Sequence, residues 1–521
     1  MKIIYFNITE QKYAVQTKKE LLTYLSHSRI DNVTNKQIAS IHECVTHVMQ
    51  SAKMRECHMA IGEMKIMDNN INMTQGKPIK LLFSFALPLM FGNVFQQLYT
   101  VTDTAIVGRG VGMDALAALG SVDWLNWMML GIAQGFAQGF SVRIAQKFGE
   151  GNLSELKKYV AQSAILAAVI ALTCLAAGQL GMDLFLFLLR VPADLKPMAE
   201  LYSRILFAGI PAVMFYNYCS AVLRAVGDSK TPLKAMIVAS IANIILDLAA
   251  VFVMHWGIAG AAAATVFAQC LAGVICCRKI CKTKELNFGR AELTKDEGIL
   301  RNLIAIGSPA AAKNVIISLG GMIVSAIVNG FGMSFIAGFT ASNKLYGLLE
   351  IAAISYGYAI TTYVGQNYGA GKIHRIKEGM VAAVTLAVST SLVIAGCMIA
   401  FGRSITMLFI SSDVPELVVE AGNIAYIYLC VMAAFLPVLY LLYVYLSALQ
   451  GLGDTVKTMI SGIVEFVLRA LISVTVGFIG FEMGIFGAEV TAWIGAAVYL
   501  MYHYHKKIAG MQITSSVTDK E

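Results

Sequence analysis

Most of this chain consists of two copies of one sequence pattern, and this internal repeat constrains the fold more than any other feature of the sequence. Residues 145–151 (AQKFGEG) return as 365–371 (GQNYGAG), 220 positions later, and 226–229 (VGDS) return as 452–455 (LGDT), 226 positions later. The prolines follow the same register, Pro88 with Pro309 and Pro211 with Pro437. Motifs that recur in one order at a nearly constant offset indicate an internal duplication, which predicts two similar lobes.

The composition places these lobes in a bilayer. Of 521 residues, 57% are hydrophobic and only 14% are charged, with a mean hydropathy of +0.67. Soluble domains carry about 25% charged residues. Apolar stretches of the roughly 20 residues that cross a bilayer predict twelve transmembrane helices. We expect these helices at 81–107, 116–141, 159–182, 200–226, 233–254, 257–278, 300–329, 335–364, 379–402, 420–449, 456–480 and 484–505.

Six spans in each half fix the relation between the halves. An even number of spans returns the chain to its starting side, so both halves enter the membrane from the same side. Such halves are related by an axis along the membrane normal. The predicted fold is therefore an all-α integral membrane protein with two six-helix bundles and a pseudo-twofold axis along that normal.

Positive charge predicts the orientation. Lys and Arg concentrate beside the first span and in the even-numbered loops, for example at Arg143, Lys147 and Lys372, and such residues stay on the cytoplasmic side. We expect a multi-pass protein of the plasma or inner membrane with both ends of the bundle cytoplasmic. This bias explains the net charge of +8 without a nucleic-acid partner. We also expect a monomer.

The remaining segments complete the predicted domain plan. Residues 1–72 are a polar N-terminal extension without an apolar stretch of spanning length or a secretory signal core. This extension is either a product of a misassigned start, with Met67 or Met73 as the first residue, or a small regulatory segment. The lobes are expected at 73–278 and 300–508, joined by a charged cytoplasmic linker at 279–299 and followed by a cytoplasmic tail at 509–521.

Several motifs, in order along both halves, resemble the multidrug and toxic compound extrusion (MATE) family. The resemblance covers about residues 79–508. It is carried by 87–88 (LP), 96–99 (QQLY), 103–108 (DTAIVG), 224–228 (RAVGD), 341–345 (ASNKL) and the two repeated loops. The resemblance implies a cation-coupled exporter of cationic, amphipathic small molecules that alternates between outward- and inward-facing states.

Ionisable residues inside spans are costly and are functional candidates by default. In the first half we select Asp103 on helix one and Asp247 on helix five. Asn243 lies four residues before Asp247 and shares its helix face, and Thr265 on helix six falls at a similar depth. Two carboxylates, an amide oxygen and a hydroxyl suit a hard cation such as Na⁺. A proton held by the carboxylate pair is the alternative.

The resemblance adds weight to this assignment, because family members with these residue types on helices one, five and six use them to bind the coupling cation. Two alternatives remain open from the residues themselves. The cluster could simply hydrogen-bond the lobe together, and some family members instead use acids of the C-terminal lobe. In that lobe Glu350 is the candidate. Gln97 and Tyr99 are further candidates for contact with substrate.

The duplication supplies an internal control for the cation site. The positions equivalent to Asn243 and Asp247 hold Arg469 and Ser473, and the equivalent of Thr265 is Ala492. The second lobe has therefore lost this set of oxygens. Glu465 and Arg469 lie four residues apart, which predicts an ion pair within one helix.

The motifs that the sequence contains or lacks distinguish between the candidate functions. No ATP-binding loop of the GxxxxGK[ST] type is present, so an ion gradient, Na⁺ or H⁺, should supply the energy, with no cofactor. A lipid-linked oligosaccharide flippase of the related superfamily is the alternative, but it would need a basic cavity for pyrophosphate. A membrane enzyme is disfavoured because no nucleophile–base or metal constellation is found.

Overall fold

A computed structural model of the chain describes residues 71–406 and 415–518, and these residues belong to one compact unit that begins at Asn70. No β-strand occurs within the described ranges, and the predicted all-α class is confirmed. The predicted extension at 1–72, apart from its last two residues, lies outside the described residues, as do residues 519–521 of the predicted tail.

Fourteen α-helices make up the described ranges, together with one π-helical and one 3₁₀ turn. In chain order they are α1 (Pro78–Gly110), α2 (Met113–Glu150), α3 (Leu153–Leu180), α4 (Met182–Leu188), α5 (Lys196–Ala208), α6 (Ile210–Ala225), α7 (Lys230–Leu248), α8 (Gly257–Lys282), α9 (Glu297–Val328), α10 (Met333–Gly369), α11 (Ile373–Thr406), α12 (Pro415–Gly451), α13 (Thr455–Ile479) and α14 (Phe486–Thr518). The π-helix Ala249–Val253 extends α7, and the 3₁₀ turn Glu482–Ile485 precedes α14. Helices α1–α8 form the first lobe and α9–α14 the second.

The predicted fourth span is broken into α5 and α6, which meet at an angle of 44°. Gly209 joins them because a Cβ at this position would overlap the side chain of Val266. Pro211 then occupies the first turn of α6, where its missing N–H costs nothing. The equivalent position in the second lobe is Phe435, inside the continuous helix α12, which simply contains Pro437. The break therefore belongs to the first lobe alone.

Most predicted spans have the length and apolarity that crossing a bilayer requires. Ten of the described helices meet both conditions, and the bent α5–α6 pair makes an eleventh. Helix α10, which contains the predicted eighth span, is long enough but more polar. Its polar groups face protein, because residues 351–367 are nearly all buried. Apolar side chains elsewhere point outward, such as Val381 and Val393 on α11, which are 70% and 67% exposed.

Reciprocal contacts demonstrate the symmetry between the lobes. A Cβ at Gly149 would collide with the backbone carbonyl of Gln366, and a Cβ at Gly369 would collide with that of Gln146. These pairs are equivalent under the offset of 220 residues, and a twofold relation requires such exchange of partners. Glycine at both positions lets the ends of α2 and α10 touch.

The beginning of the first helix of each lobe packs in the hydrophobic core of the other lobe. Leu82, Phe85 and Leu89 of α1 lie in the hydrophobic core formed mainly by α10–α14. Ile299 and Leu303 of α9 lie in the core formed by α2, α3, α6 and α8. Helices α1 and α9 therefore each contact both lobes, and a change in one lobe can reach the other through them.

Candidate cation site

The register between α1 and α7 places the two candidate aspartates side by side. The two helices run in the same direction, with Gly92 beside Leu233 and the Ser240 hydroxyl donating to the Phe95 carbonyl at 3.4 Å. Asp247 is seven residues beyond Ser240, and Asp103 is eight beyond Phe95. The carboxylates consequently lie at the same level, and Asp103 is an electrostatic neighbour of Asp247.

Helix α8 completes the cluster. Asn243 Nδ2 donates to Thr265 Oγ1 at 3.5 Å, a long hydrogen bond that joins α7 to α8. Asn243 and Asp247 are fully buried, Asp103 is 8% exposed and Thr265 is half-buried. All four residues selected from the sequence therefore lie in one region inside the first lobe.

These residues hold an excess of acceptor oxygens. Both carboxylate oxygens of Asp247, Oδ1 of Asp103 and Oδ1 of Asn243 are buried and have no hydrogen-bond partner among the described residues. Buried polar atoms are nearly always paired, and an unpaired carboxylate is especially costly out of water. The chemistry of this set suits a small hard cation or a proton, since either would satisfy several oxygens at once.

The α-helical pattern ends at Leu248, one residue after Asp247, and the π-helix Ala249–Val253 follows. Single π-turns inside α-helices occur frequently at functional sites, because the wider turn redirects side chains and frees backbone groups. This turn lies against α1, where a Cβ at Gly110 would overlap Val251.

Two residues that sequence reasoning missed, Gln269 and Tyr202, lie near the cluster, and a third, Asp123, lies near Tyr202. Gln269 on α8 donates to the Tyr99 hydroxyl at 3.4 Å, so Tyr99 faces the interior of the first lobe. Tyr202 on α5 is an electrostatic neighbour of Asp103, Asp247 and the exposed Asp123 of α2. Asp123 could have been selected from the sequence, because it is an acidic residue inside a predicted span. Tyr202 and Gln269 could not have been selected in this way, because uncharged polar residues are common in spans.

The other two substrate candidates lie apart from the cluster. Gln97 of α1 is half-buried at the boundary between the lobes. Its Nε2 atom lies 3.2 Å from the position that a Cβ would occupy at Gly347 of α10. Glu350 lies in the second lobe, where it accepts a hydrogen bond from the Tyr346 hydroxyl. Gln97 therefore lies against the stretch of α10 that carries Glu350, whereas Tyr99 faces the interior of the first lobe.

The second lobe contains buried cations of its own. Arg469, at the position of Asn243, contacts Glu489 of α14 at 2.7 Å, so the predicted pair with Glu465 in the same helix is wrong as the closest pairing. The packing of α13 against α14 brings Glu489 to the guanidinium, whereas Oε1 of Glu465 has no hydrogen-bond partner among the described residues. Lys313 of α9 is a second buried cation and an electrostatic neighbour of Glu465.

Two six-helix lobes with apolar exteriors, joined by exchanged helices and holding buried polar clusters, define a multi-pass membrane transporter. The MatE family model matches the chain twice, at residues 88–249 and 309–475. The chain therefore belongs to the multidrug and toxic compound extrusion family, as its motifs predicted.

Relatives agree with this assignment over most of the chain. The probable multidrug resistance protein YpnP of Bacillus subtilis is 30% identical over 83% of this chain and 96% of its own length. The probable multidrug resistance protein NorM of Thermotoga maritima is 24% identical over 82% of this chain and 91% of its own. A solved MOP superfamily transporter from Pyrococcus furiosus shares the fold, with a TM-score of 0.80 and 20% identity, covering 85% of this chain and 99% of that one.

Proposed function

We propose that this protein is an antiporter that exports cationic, amphipathic small molecules in exchange for Na⁺ or H⁺ by alternating access. It would work in the plasma or inner membrane with both ends of the bundle in the cytoplasm. Relatives that are named as probable multidrug resistance proteins support the export of drugs. The coupling ion would bind at Asp103, Asn243, Asp247 and Thr265.

One observation carries the proposal for the ion. The first lobe buries two carboxylates, three of whose oxygens are unpaired, and the unpaired amide oxygen of Asn243. Neither carboxylate has a basic partner within ion-pair distance among the described residues. The second lobe balances its buried acids with Arg469 and Lys313. The first lobe lacks such an attached cation, so an incoming one would supply the missing positive charge.

Helix α1 offers a route from ion binding to movement of the lobes. Asp103 lies on this helix, and so do Asn93 and Gln97, which contact the second lobe. Asn93 Nδ2 donates to the Ser355 hydroxyl at 3.1 Å, and Gln97 packs on Gly347. An ion that draws Asp103 toward Asp247 would therefore favour one arrangement of α1 against α10. Differential affinity for the two arrangements is what coupling requires.

For substrate we assign contact roles to Gln97, Tyr99 and Glu350. A molecule that enters between the lobes would meet Gln97 first, because that side chain is half-buried at their boundary. Glu350 would attract the positive charge of the molecule from the second lobe. Tyr99 is hydrogen-bonded to Gln269 inside the first lobe. It would connect the binding of a substrate molecule in that lobe to the binding of the ion. The flippase alternative is weakened because Lys313 and Arg469 are buried among carboxylates and do not form a basic cavity.

The test is efflux of ethidium from proteoliposomes that contain the full chain. One arm imposes a Na⁺ gradient at equal pH, and the other imposes a pH gradient without Na⁺. We expect one gradient to accelerate efflux and Asp247→Asn to abolish that acceleration. Asp194→Asn, an exposed carboxylate in a loop outside the cluster, is the matched control and should transport normally.

Three results would contradict the proposal. These are undiminished gradient-driven efflux in Asp247→Asn, an equal loss in Asp194→Asn, or an absence of response to either gradient. Binding of a lipid-linked saccharide by a parent protein that responds to neither ion would favour the flippase.

A further inference from the structure

The short segment that precedes α1 is buried between the two lobes. This lead-in segment, residues 71–76, is extended or turned rather than helical, yet Met73 is fully buried and Thr74 is 9% exposed. Met73 lies in the hydrophobic core of the second lobe, as does the beginning of α1, which then continues into the first lobe. The segment therefore spans the boundary at the end of the bundle where Glu150 and Gly369 lie.

Side chains of the second lobe hold the backbone of this segment. Gln366 Oε1 accepts from the Met73 N–H at 2.9 Å, and Asn367 Nδ2 donates to the Met73 carbonyl at 3.0 Å. Arg375 donates to the Gly76 carbonyl at 2.9 Å, and Lys372 to the Thr74 carbonyl at 3.2 Å. Four side chains around the α10–α11 turn thus bind main-chain atoms.

The first lobe holds the other end of the segment. The Ile71 N–H donates to the Gly227 carbonyl at 3.3 Å. Gly227 has a φ of +94°, and a Cβ there would overlap the Ile71 carbonyl, so only glycine fits this approach. Gln366 reaches the same turn, because its Nε2 donates to the Ala225 carbonyl at 2.8 Å.

The duplication shows that this binding is a specialisation of one turn. In the first half, Asn367 and Arg375 correspond to Lys147 and Glu155, which pair with each other at 2.6 Å. The α2–α3 turn therefore satisfies its own charges, whereas the α10–α11 turn directs its donors to the lead-in segment. The segment that precedes α9 is held differently, by Gln162 of α3, which donates to the Thr294 carbonyl at 2.7 Å.

We propose that residues 71–76 act as a latch that holds the two lobes together at this end of the bundle. The latch is covalently continuous with α1 of the first lobe and hydrogen-bonded to the second. Separation of the lobes at this end must therefore break either its bonds to Gln366, Asn367 and Arg375 or its bond to Gly227. The surface around the α10–α11 turn is the binding site, and its occupant is this segment of the chain.

Amide hydrogen exchange on the full chain in lipid nanodiscs, without substrate and at fixed ionic composition, tests the latch. The double variant Asn367→Ala/Arg375→Ala removes two of its anchors. We expect exchange at the facing α2–α3 turn, residues 149–153, to accelerate about tenfold, which corresponds to about 1.4 kcal/mol. That turn makes none of the deleted bonds, so acceleration there reports separation of the lobes.

The pair Lys147→Ala/Glu155→Ala, at the equivalent positions, is the matched control and should leave exchange at residues 369–373 unchanged. Lys372→Ala removes one exposed anchor and should accelerate exchange at 149–153 in the same direction but less. Unchanged exchange at 149–153 in both latch variants, or reciprocal acceleration of equal size in the control pair, would overturn the proposal. These measurements do not depend on the proposed transport activity.

Discussion

Gln146 and Gln366 make the same hydrogen bond in opposite directions. Gln146 Nε2 donates to the Gly451 carbonyl of the second lobe at 2.9 Å, and Gln366 Nε2 donates to the Ala225 carbonyl of the first at 2.8 Å. Each acceptor is the last residue of a helix, whose carbonyl has no partner within that helix. Each glutamine therefore caps a helix of the opposite lobe.

We predict that Gln146→Ala and Gln366→Ala each destabilise the protein. Each change leaves a carbonyl unpaired at the lobe boundary, at a cost of about 1–3 kcal/mol. The apparent melting temperature in detergent should fall for both variants and remain unchanged for Gln75→Ala, whose side chain is exposed. A fall for only one of the two glutamines would argue against their equivalence.

We predict that the coupling ion stabilises the parent protein by mass action. A ligand at about 100 times its Kd contributes about 2.7 kcal/mol, which raises the melting temperature. The rise should follow Na⁺ concentration, measured against choline at constant ionic strength, or pH if the ion is H⁺. Asp247→Asn should abolish the rise, because it removes a charged ligand. Persistence of the full rise in this variant would place the ion elsewhere.

We predict that removing one partner of the Arg469–Glu489 pair is costly. These side chains are 6% and 16% exposed, and loss of one buried partner leaves the other charge uncompensated, at about 3–5 kcal/mol. Arg469→Met should therefore give little folded protein. Addition of Glu489→Gln should restore much of the yield, measured by gel filtration. No restoration in the double variant would mean that Arg469 acts mainly through another acid.

We predict that the α2–α9 interface does not tolerate one added methyl group. A Cβ at Gly135 would overlap the backbone of Ala311, so Gly135→Ala must push the helices apart, at about 1–3 kcal/mol. Gly120 on the same helix has open space around its Cα. Gly120→Ala should therefore be neutral or slightly stabilising. Equal melting temperatures for the two variants would contradict this account of the interface.

The grouping of the candidate residues was partly predictable, because helical spacing brings Asn243 and Asp247 onto one face in any α-helix. Asp103 and Thr265 were placed by depth along their helices and by resemblance to the family. The partner of Arg469 was not predictable, because the choice between Glu465 and Glu489 depends on how α13 packs against α14. Tyr202 was missed for a similar reason, since its proximity to Asp103 depends on how α5 packs in the first lobe.

The sequence by itself determined the class of this protein. Apolar length demands helices in a bilayer, where every backbone group needs an internal partner, and an even-numbered duplication demands two lobes that enter from one side. The tertiary structure alone decided which groups meet between elements. The burial of Met73 in the opposite lobe, the exchange of α1 and α9, and the pairing of Arg469 depend on contacts between residues far apart in the chain. Local periodicity carries no information about such contacts, because many packings satisfy the same pattern of apolar faces.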